Sequence, residues 1–318
     1  MSGNKKIFTK TELKTISAEE IIEKIKKENC SLLTSLGGEK LRKEMVPVGK
    51  ICNLALNYFL GTTGPKLKPE KHVKYARKKL VRILAKVTPD TYKDIPTDRE
   101  NGLVVGFNHP SLGEIPRILA MKMDIMGDKP MYFPVNLPWY EALAPNFERI
   151  KKFGIILTPT ITPSTWKKLD LKEGSVLCKA GKRIKREFMN IYKELSKEAM
   201  LNGGVIFVAP SATRQATVFK NRQAYLGEEK ILPTMSVLAQ NLYENPDIHC
   251  DFLPMAVLPP ENYSRGLNLR KNYQLIPGEI MTAAEIREKY LKDGKNPKDF
   301  DHDFLERIAQ KLPKKFWF

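Results

Sequence analysis

The stretch GLVVGF at 102–107 decides the fold, because six successive residues without a charge predict a buried β-strand. Similar short apolar runs follow it, and segments with helical spacing lie between them. Strands that alternate with helices predict an α/β fold with a mixed, mostly parallel sheet flanked by helices. The predicted strands are 102–107, 131–135, 153–157, 204–208 and 251–257. The predicted helices between them are 113–124, 138–146, 184–201 and 230–243.

The segment before this sheet predicts a small N-terminal helical domain. Ser17 and Glu20 have the spacing of a capping box, which begins a helix. Pro47 is expected in the first turn of another helix, and 72–86 combines an apolar stripe with a basic face. At about 150 residues per domain, two domains are expected. We predict a helical bundle over 1–88 and an α/β domain over 89–318.

The charge balance narrows the classes of partner. The 318 residues include 54 Lys and Arg against 36 Asp and Glu, which gives a net charge of +18. This surplus predicts attraction to nucleic acid, anionic lipid headgroups or a phosphorylated substrate. Hydrophobic residues make up 42% of the chain, which excludes a wholly disordered protein.

Targeting and redox signals point to a soluble or peripheral protein of the cytoplasm or another reducing compartment. No apolar stretch approaches the roughly 20 residues of a membrane-spanning helix, and the N-terminus has no apolar core of a signal peptide. The four cysteines are far apart and form no Cys-x-x-Cys pair. They indicate free thiols.

The segment FNHPSLGEIPR (107–117) places polar chemistry directly after the first strand. His109 is expected at the carboxyl end of this strand, and Glu114 near the first turn of the next helix. A carboxylate on one ring nitrogen fixes the imidazole tautomer and leaves the other nitrogen free as a general base. The alternative is an ordinary turn, since Asn, Pro and Ser are common turn residues. Spacing alone leaves both interpretations open.

A second segment, GGVIFVAPSATRQA (203–216), repeats the order of strand and sharp turn. Arg214 is expected just past the carboxyl end of its strand, on the same edge of the sheet as His109. A guanidinium there suits bidentate binding of a phosphate; the alternative is an ordinary surface arginine. A third segment, FLPMAVLPPEN (252–262), is a strand that ends in prolines.

The remaining cluster of metal-ligating residue types is Asp301-His302-Asp303. We interpret it as a solvated helix start rather than a metal site. No metal and no organic cofactor is expected.

Together the three segments resemble the glycerolipid acyltransferase superfamily, whose signature is Asn-His-x-x-x-x-Asp. The Ala-Pro-Ser-x-x-Arg order is most similar to the soluble, plastid-type glycerol-3-phosphate acyltransferases, in which a helical domain precedes an α/β catalytic domain. The matching residues are Asn108, His109 and Glu114 in the first block, and Ala209, Pro210, Ser211 and Arg214 in the second.

The resemblance implies transfer of a fatty acyl group from acyl-CoA or acyl carrier protein to the hydroxyl of glycerol 3-phosphate or a related phosphorylated acceptor. His109 would be the general base, and Glu114 would hold it. Arg214 would bind the phosphate, with Ser211, Asn108 and Ser111 as further substrate-binding residues. Peripheral association with an anionic membrane fits the same chemistry, and nucleic acid is not an expected partner.

The chain also departs from the family pattern. Glu114 stands where the family has Asp, and Ala216 and 158–160 stand where the plastid branch has basic residues. Candidates to replace them are Lys151, Lys152, Lys167, Lys168, Lys182 and Arg183.

Two alternative functions remain. The first is a non-catalytic lipid- or nucleic-acid-binding protein with a basic surface, although zinc-finger spacing and aromatic RNA motifs are lacking. The second is a serine hydrolase using Ser111 or Ser211, which the lack of a Gly-x-Ser-x-Gly turn disfavours.

Overall fold

A computed structural model of the chain shows the predicted α/β fold, with a mixed, mostly parallel six-stranded sheet flanked by helices and a helical N-terminal region. The structure describes residues 6–60, 95, 100–109, 117–118, 121–122, 129–151, 154–210, 234–260, 273–292 and 297–313.

The sheet has the strand order β5-β4-β6-β3-β7-β8. Strand β6 runs parallel to β4 and β3, β3 runs parallel to β7, and β8 runs antiparallel to β7. A separate parallel pair joins β1 (Lys6–Ile7) and β2 (Cys30–Ser31). The strands of the main sheet are β3 (Gly102–Phe107), β4 (Met131–Asn136), β5 (Ile155–Thr160), β6 (Val205–Val208), β7 (Cys250–Leu258) and β8 (Gln274–Pro277).

Helices occupy most of the remaining described chain. A 3-10 turn covers Ala144–Asn146, and a π-helical turn covers Arg287–Leu291. None of the helices within the described ranges is long and apolar enough to cross a membrane. The helices are α1 (Glu12–Thr15), α2 (Ala18–Glu28), α3 (Leu32–Ser35), α4 (Glu39–Leu60), α5 (Leu137–Leu143), α6 (Phe147–Lys151), α7 (Pro163–Leu169), α8 (Val176–Leu201), α9 (Thr234–Glu244), α10 (Ala283–Ile286) and α11 (Pro297–Gln310).

The five predicted strands are confirmed as β3 to β7, one of them shifted, and the short strands β1, β2 and β8 were missed. Strand β5 was expected over 153–157 but ends at Thr160, because it lies at an edge of the sheet, where Pro159 is tolerated without a ladder hydrogen bond. Gly154, with a φ of 69°, lies in the turn directly before β5. Strand β8 was not predicted, since four residues at a sheet edge leave little sequence pattern.

Among the helices, the capping box is confirmed and the position of Pro47 is corrected. The Ser17 side chain accepts from the Glu20 amide, and the Glu20 side chain accepts from the Ser17 amide. Pro47 lies inside α4 rather than in a first turn, because this helix already begins at Glu39. A proline there removes one helix hydrogen bond. Close packing of α4 against α5 offsets this loss. The two helices approach so closely that a Cβ added at Gly49 would stand 3.2 Å from the Ala142 carbonyl oxygen.

Helix α8 begins eight residues before its predicted start, and Ser175 explains why. Its side-chain oxygen accepts from the amide of Cys178 and caps the helix. Of the predicted helix over 113–124, Arg117, Ile118, Met121 and Lys122 are described, and all four are helical. The predicted amphipathic stretch over 72–86 lies outside the described residues.

The chain divides into two compact units. The first comprises 1–73 and 133–195, and the second comprises 74–132 and 196–318. In the first unit, the N-terminal helices share one hydrophobic core with later segments. Leu13, Ile21 and Leu32 belong to the same buried cluster as Ile184 and Phe188. The predicted boundary after residue 88 lies outside the described residues and stays a prediction.

A buried carboxylate fixes the short helix α3 within this first unit. Glu141 on α5 accepts from the Leu33 amide at 2.8 Å and from the Ser31 hydroxyl at 2.6 Å. The free amides of a helix N-terminus favour a negative charge. Glu141 therefore ties α3 to α5.

In the second unit, helices α9 and α11 cover one face of the sheet above β3. Gly106 makes room for this packing. A Cβ at this position would collide with Phe304 Cε1 and stand 3.2 Å from Met235 Cε. The Phe304 ring is itself buried in an aromatic cluster with Phe252 and Phe300, so it has little space into which to retreat.

We predict that Gly106→Ala lowers the free energy of unfolding by about 1–3 kcal/mol, the usual range for an overpacked core. In a Phe304→Leu background the same substitution is expected to cost less, because the ring that it would meet is gone. Urea unfolding of the wild type, both single variants and the double variant measures this coupling. Additive effects would contradict the contact.

Candidate functional site

Three segments highlighted by the sequence converge at one edge of the sheet. Strand β3 lies between β6 and β7 and runs parallel to both. Gly106 is level with Val208, and Phe107 is level with Met255. The carboxyl ends of the three strands therefore meet at one edge, where ligands of open α/β sheets usually bind.

The three strands end at different levels at this edge. Strand β6 ends one position before the level of Phe107, whereas β7 continues three residues beyond Met255. The chain leaving β6 passes through Pro210, whose carbonyl oxygen accepts from the Thr234 hydroxyl at 3.1 Å. The end of β3 thus lies between a shorter strand, β6, and a longer strand, β7.

Asn108 continues the β3–β7 pairing with its side chain. Its Nδ2 donates to the Val257 carbonyl oxygen at 2.9 Å, and its Oδ1 accepts from the Val257 amide at 2.6 Å. The side chain is 1% exposed. These contacts support a structural role for Asn108, namely holding the backbone before His109. The substrate contact predicted for it stays a prediction.

His109 is placed as predicted, directly past the end of β3. It is half-buried, and its ring meets the buried Phe107 ring edge-on, with the centroids 6.3 Å apart. The preceding residue is fixed to β7 through Asn108. The sheet therefore fixes the backbone from which the imidazole projects.

The other predicted site residues lie outside the described residues. These are Glu114, Ser111, Ser211 and Arg214. The structure gives only the position of the chain before them. Residue 109 precedes the segment with Ser111 and Glu114, and residue 210 precedes the segment with Ser211 and Arg214.

A buried cation that the sequence reasoning missed lies at the same edge. Arg117 is 0% exposed, and its guanidinium carbon is 4.5 Å from the centre of the Tyr273 ring. Tyr273 directly precedes Gln274, which is level with Leu258 at the end of β7. The sequence offered one signal for Arg117, namely a charged residue directly before the apolar run at 118–121.

The candidate phosphate-binding residues are only partly free for that task. Arg183 donates to the carbonyl oxygens of Leu13 and Ile16, so it serves the packing of the N-terminal helices. Lys182 pairs with Glu173 at 3.0 Å. Lys151, Lys167 and Lys168 are exposed. Lys152 lies outside the described residues.

The Asp301-His302-Asp303 cluster is not a solvated helix start, which corrects the sequence interpretation. Asp301 is buried inside α11, and its Oδ1 accepts from the amides of Met235 and Ser236 at 2.8 and 3.0 Å. It therefore caps α9. Within the described ranges, no group of three or more His, Cys, Asp or Glu side chains is arranged to hold a metal ion.

Comparison with known proteins adds no assignment. No protein-family model matches the chain, and none of the curated proteins searched is significantly similar to it.

We predict that Asn108→Ala lowers the free energy of unfolding by about 2–4 kcal/mol, since the buried amide and carbonyl of Val257 both lose their partner. Urea unfolding measures this. Asn190→Ala, on the exposed side of α8, is the matched control and is expected to change stability by less than about 0.5 kcal/mol. Equal stability of the two variants would contradict the anchoring role.

Asp301 predicts a pH dependence of stability. Burial raises the pKa of this carboxyl above its ordinary value, and the hydrogen bonds from Ser236 and Met235 only partly oppose this. The folded chain therefore keeps a proton that the unfolded chain has lost, so stability falls as the pH rises above about 4. Asp301→Asn keeps an acceptor oxygen and removes this ionisation.

We accordingly expect Asp301→Asn to flatten the fall in stability between about pH 4 and 7. Asp301→Ala is expected to lose about 1 kcal/mol through the missing cap. Thermal unfolding across this pH range tests both, with Asp247→Asn as the exposed control. An Asn variant much less stable than the wild type at neutral pH would show that the charge itself holds α9.

Proposed function

We propose that the chain is an acyltransferase that moves a fatty acyl group from a thioester, acyl-CoA or acyl carrier protein, to the hydroxyl of glycerol 3-phosphate or a related phosphorylated acceptor. The observation that carries this proposal is the convergence of the three motif segments at one edge of the sheet, with His109 between the ends of β6 and β7. This is the arrangement that the resemblance to glycerolipid acyltransferases implies.

His109 acts in this proposal as the general base. One ring nitrogen removes the proton from the acceptor hydroxyl while its oxygen attacks the thioester carbonyl. A tetrahedral oxyanion forms and collapses, the carbon–sulfur bond breaks, and the thiolate takes up the proton from the imidazolium. Glu114 offsets the positive charge of the ring during the step. The fixed backbone before His109 keeps the base in one place, which favours a reactive geometry.

Positive charge at this edge suits a phosphorylated acceptor. Arg214 binds the phosphate in this proposal, and Ser211 and Ser111 add hydrogen bonds.

The proposed setting is a reducing compartment such as the cytoplasm, with the protein soluble or peripheral to a membrane. Its support is the state of the described thiols. Cys30, Cys178 and Cys250 are buried and free of disulfide bonds.

We predict that His109→Ala lowers acyl transfer by about 10²–10⁴-fold, the usual contribution of a general base. The assay measures thiol release from a long-chain acyl thioester, with CoA or carrier protein as the donor, in the presence and absence of glycerol 3-phosphate. His249→Ala is the matched control, because His249 is exposed directly before β7, at the opposite edge of the same sheet.

The outcomes separate the proposal from its alternatives. Release that needs both His109 and glycerol 3-phosphate supports the enzyme and its acceptor. Release that needs His109 alone supports acyl transfer to another hydroxyl. No release from either donor, or full turnover by His109→Ala, would overturn the proposal and favour a non-catalytic lipid- or nucleic-acid-binding protein.

A further inference from the structure

A row of basic side chains runs along the exposed side of α8. Its members are Lys179, Lys182, Arg186 and Lys193, and we call them the α8 basic row. At about 100° per residue, the four lie within about 60° of one another around the helix axis. At about 1.5 Å per residue, the row is about 21 Å long. It is thus a narrow, straight line of positive charge.

Most of this charge is not compensated within the described chain. Three members of the row form no ion pair with any residue that the structure describes. The fourth, Lys182, pairs with Glu173, whose side chain is itself 89% exposed. The helix carboxylates Glu187 and Glu194 lie about 100° away from the middle of the row. An approaching anion therefore meets cations along the whole row.

The opposite side of α8 is anchored, so the row is rigid. Ile184 and Phe188 are fully buried in the hydrophobic core of the first unit. Between them and the row, the Arg183 guanidinium donates to the carbonyl oxygens of Leu13 and Ile16 at 3.1 and 2.8 Å. Binding to the row requires no ordering of the helix that bears it.

The surroundings of the row add positive charge and one apolar side chain. Residues 163–186 contain eight Lys and Arg against two Asp and Glu, a net charge of +6. Met189 lies between Arg186 and Lys193 and is 43% exposed. A thioether surrounded by cations combines an apolar contact with electrostatic attraction.

We propose that the α8 basic row binds the surface of an anionic lipid bilayer. The row offers its cations to a flat layer of phosphate headgroups, and Met189 enters the boundary between headgroups and acyl chains. This inference concerns the first unit alone and does not depend on acyl transfer by the site at the end of β3.

The side chains of the row favour a bilayer over nucleic acid. Proteins that bind single strands combine basic side chains with aromatic rings for base stacking. Among the residues that the structure describes, no exposed aromatic side chain stands between the four cations. Trp166 is engaged elsewhere: it packs 3.0 Å from the position of a Cβ at Gly181 and lies under the Lys185 ammonium group. Met189 gains a partner in a bilayer but none on a phosphate backbone.

The test is co-sedimentation of the full-length protein with vesicles of phosphatidylcholine, with and without phosphatidylglycerol. We expect binding only to the anionic vesicles, and weaker binding at high salt. The variant Lys179→Gln, Arg186→Gln, Lys193→Gln is expected to bind about 100-fold more weakly, at roughly fivefold per removed charge. Met189→Gln is expected to weaken binding several-fold.

The matched control is Lys10→Gln, Lys14→Gln, Lys40→Gln, which removes the same charge from exposed positions elsewhere in the first unit. It is expected to retain most of the binding, and circular dichroism checks that both variants are folded. Equal loss in both triple variants would overturn the proposal in favour of non-specific attraction. So would wild-type protein that ignores anionic vesicles, or that binds duplex or single-stranded DNA more tightly than vesicles at the same salt. Thiol release from a water-soluble short-chain thioester, measured on the same preparations, reports separately on the proposed enzyme.

Discussion

The parallel pairing of β3 with a neighbour on each side is the constraint on which the candidate site depends. It places the ends of three strands, far apart in the sequence, at one edge of the sheet. The pairing is extended by a side chain, because Asn108 replaces a backbone residue as the partner of Val257. His109 follows at once, so the sheet fixes the backbone that bears its imidazole.

Buried carboxylates repeat one task in both units. Glu141 binds the start of α3, Asp301 binds the start of α9, and Asp251 accepts from the Ala283 amide at 3.1 Å and binds the start of α10. In each case an acid from a distant part of the chain satisfies amides that the helix itself leaves unpaired. Acidic residues that resemble a ligand cluster in the sequence can thus serve helix docking instead.

The sequence was sufficient for strands β3 to β7 and for the place of His109, since short runs such as Val205–Val208 contain no polar residue that would obscure the pattern. It was insufficient where tertiary packing overrides local preference. Pro47 is tolerated inside α4, and Pro159 is tolerated inside an edge strand. Neither the Asn108–Val257 bonds nor the Arg117–Tyr273 contact could be predicted, because the two partners are separated by more than a hundred residues and no local pattern links them.

The contact between Gly106 and Phe304 has a consequence for how this sequence can diverge. The missing side chain on β3 and the ring on α11 share one volume, so neither position can change freely while the other is kept. Among descendants of this chain, a larger residue at 106 should appear together with a smaller one at 304. In an alignment, positions 106 and 304 would then covary. This covariation would identify the packing of α11 against the sheet even where the residues around His109 had changed.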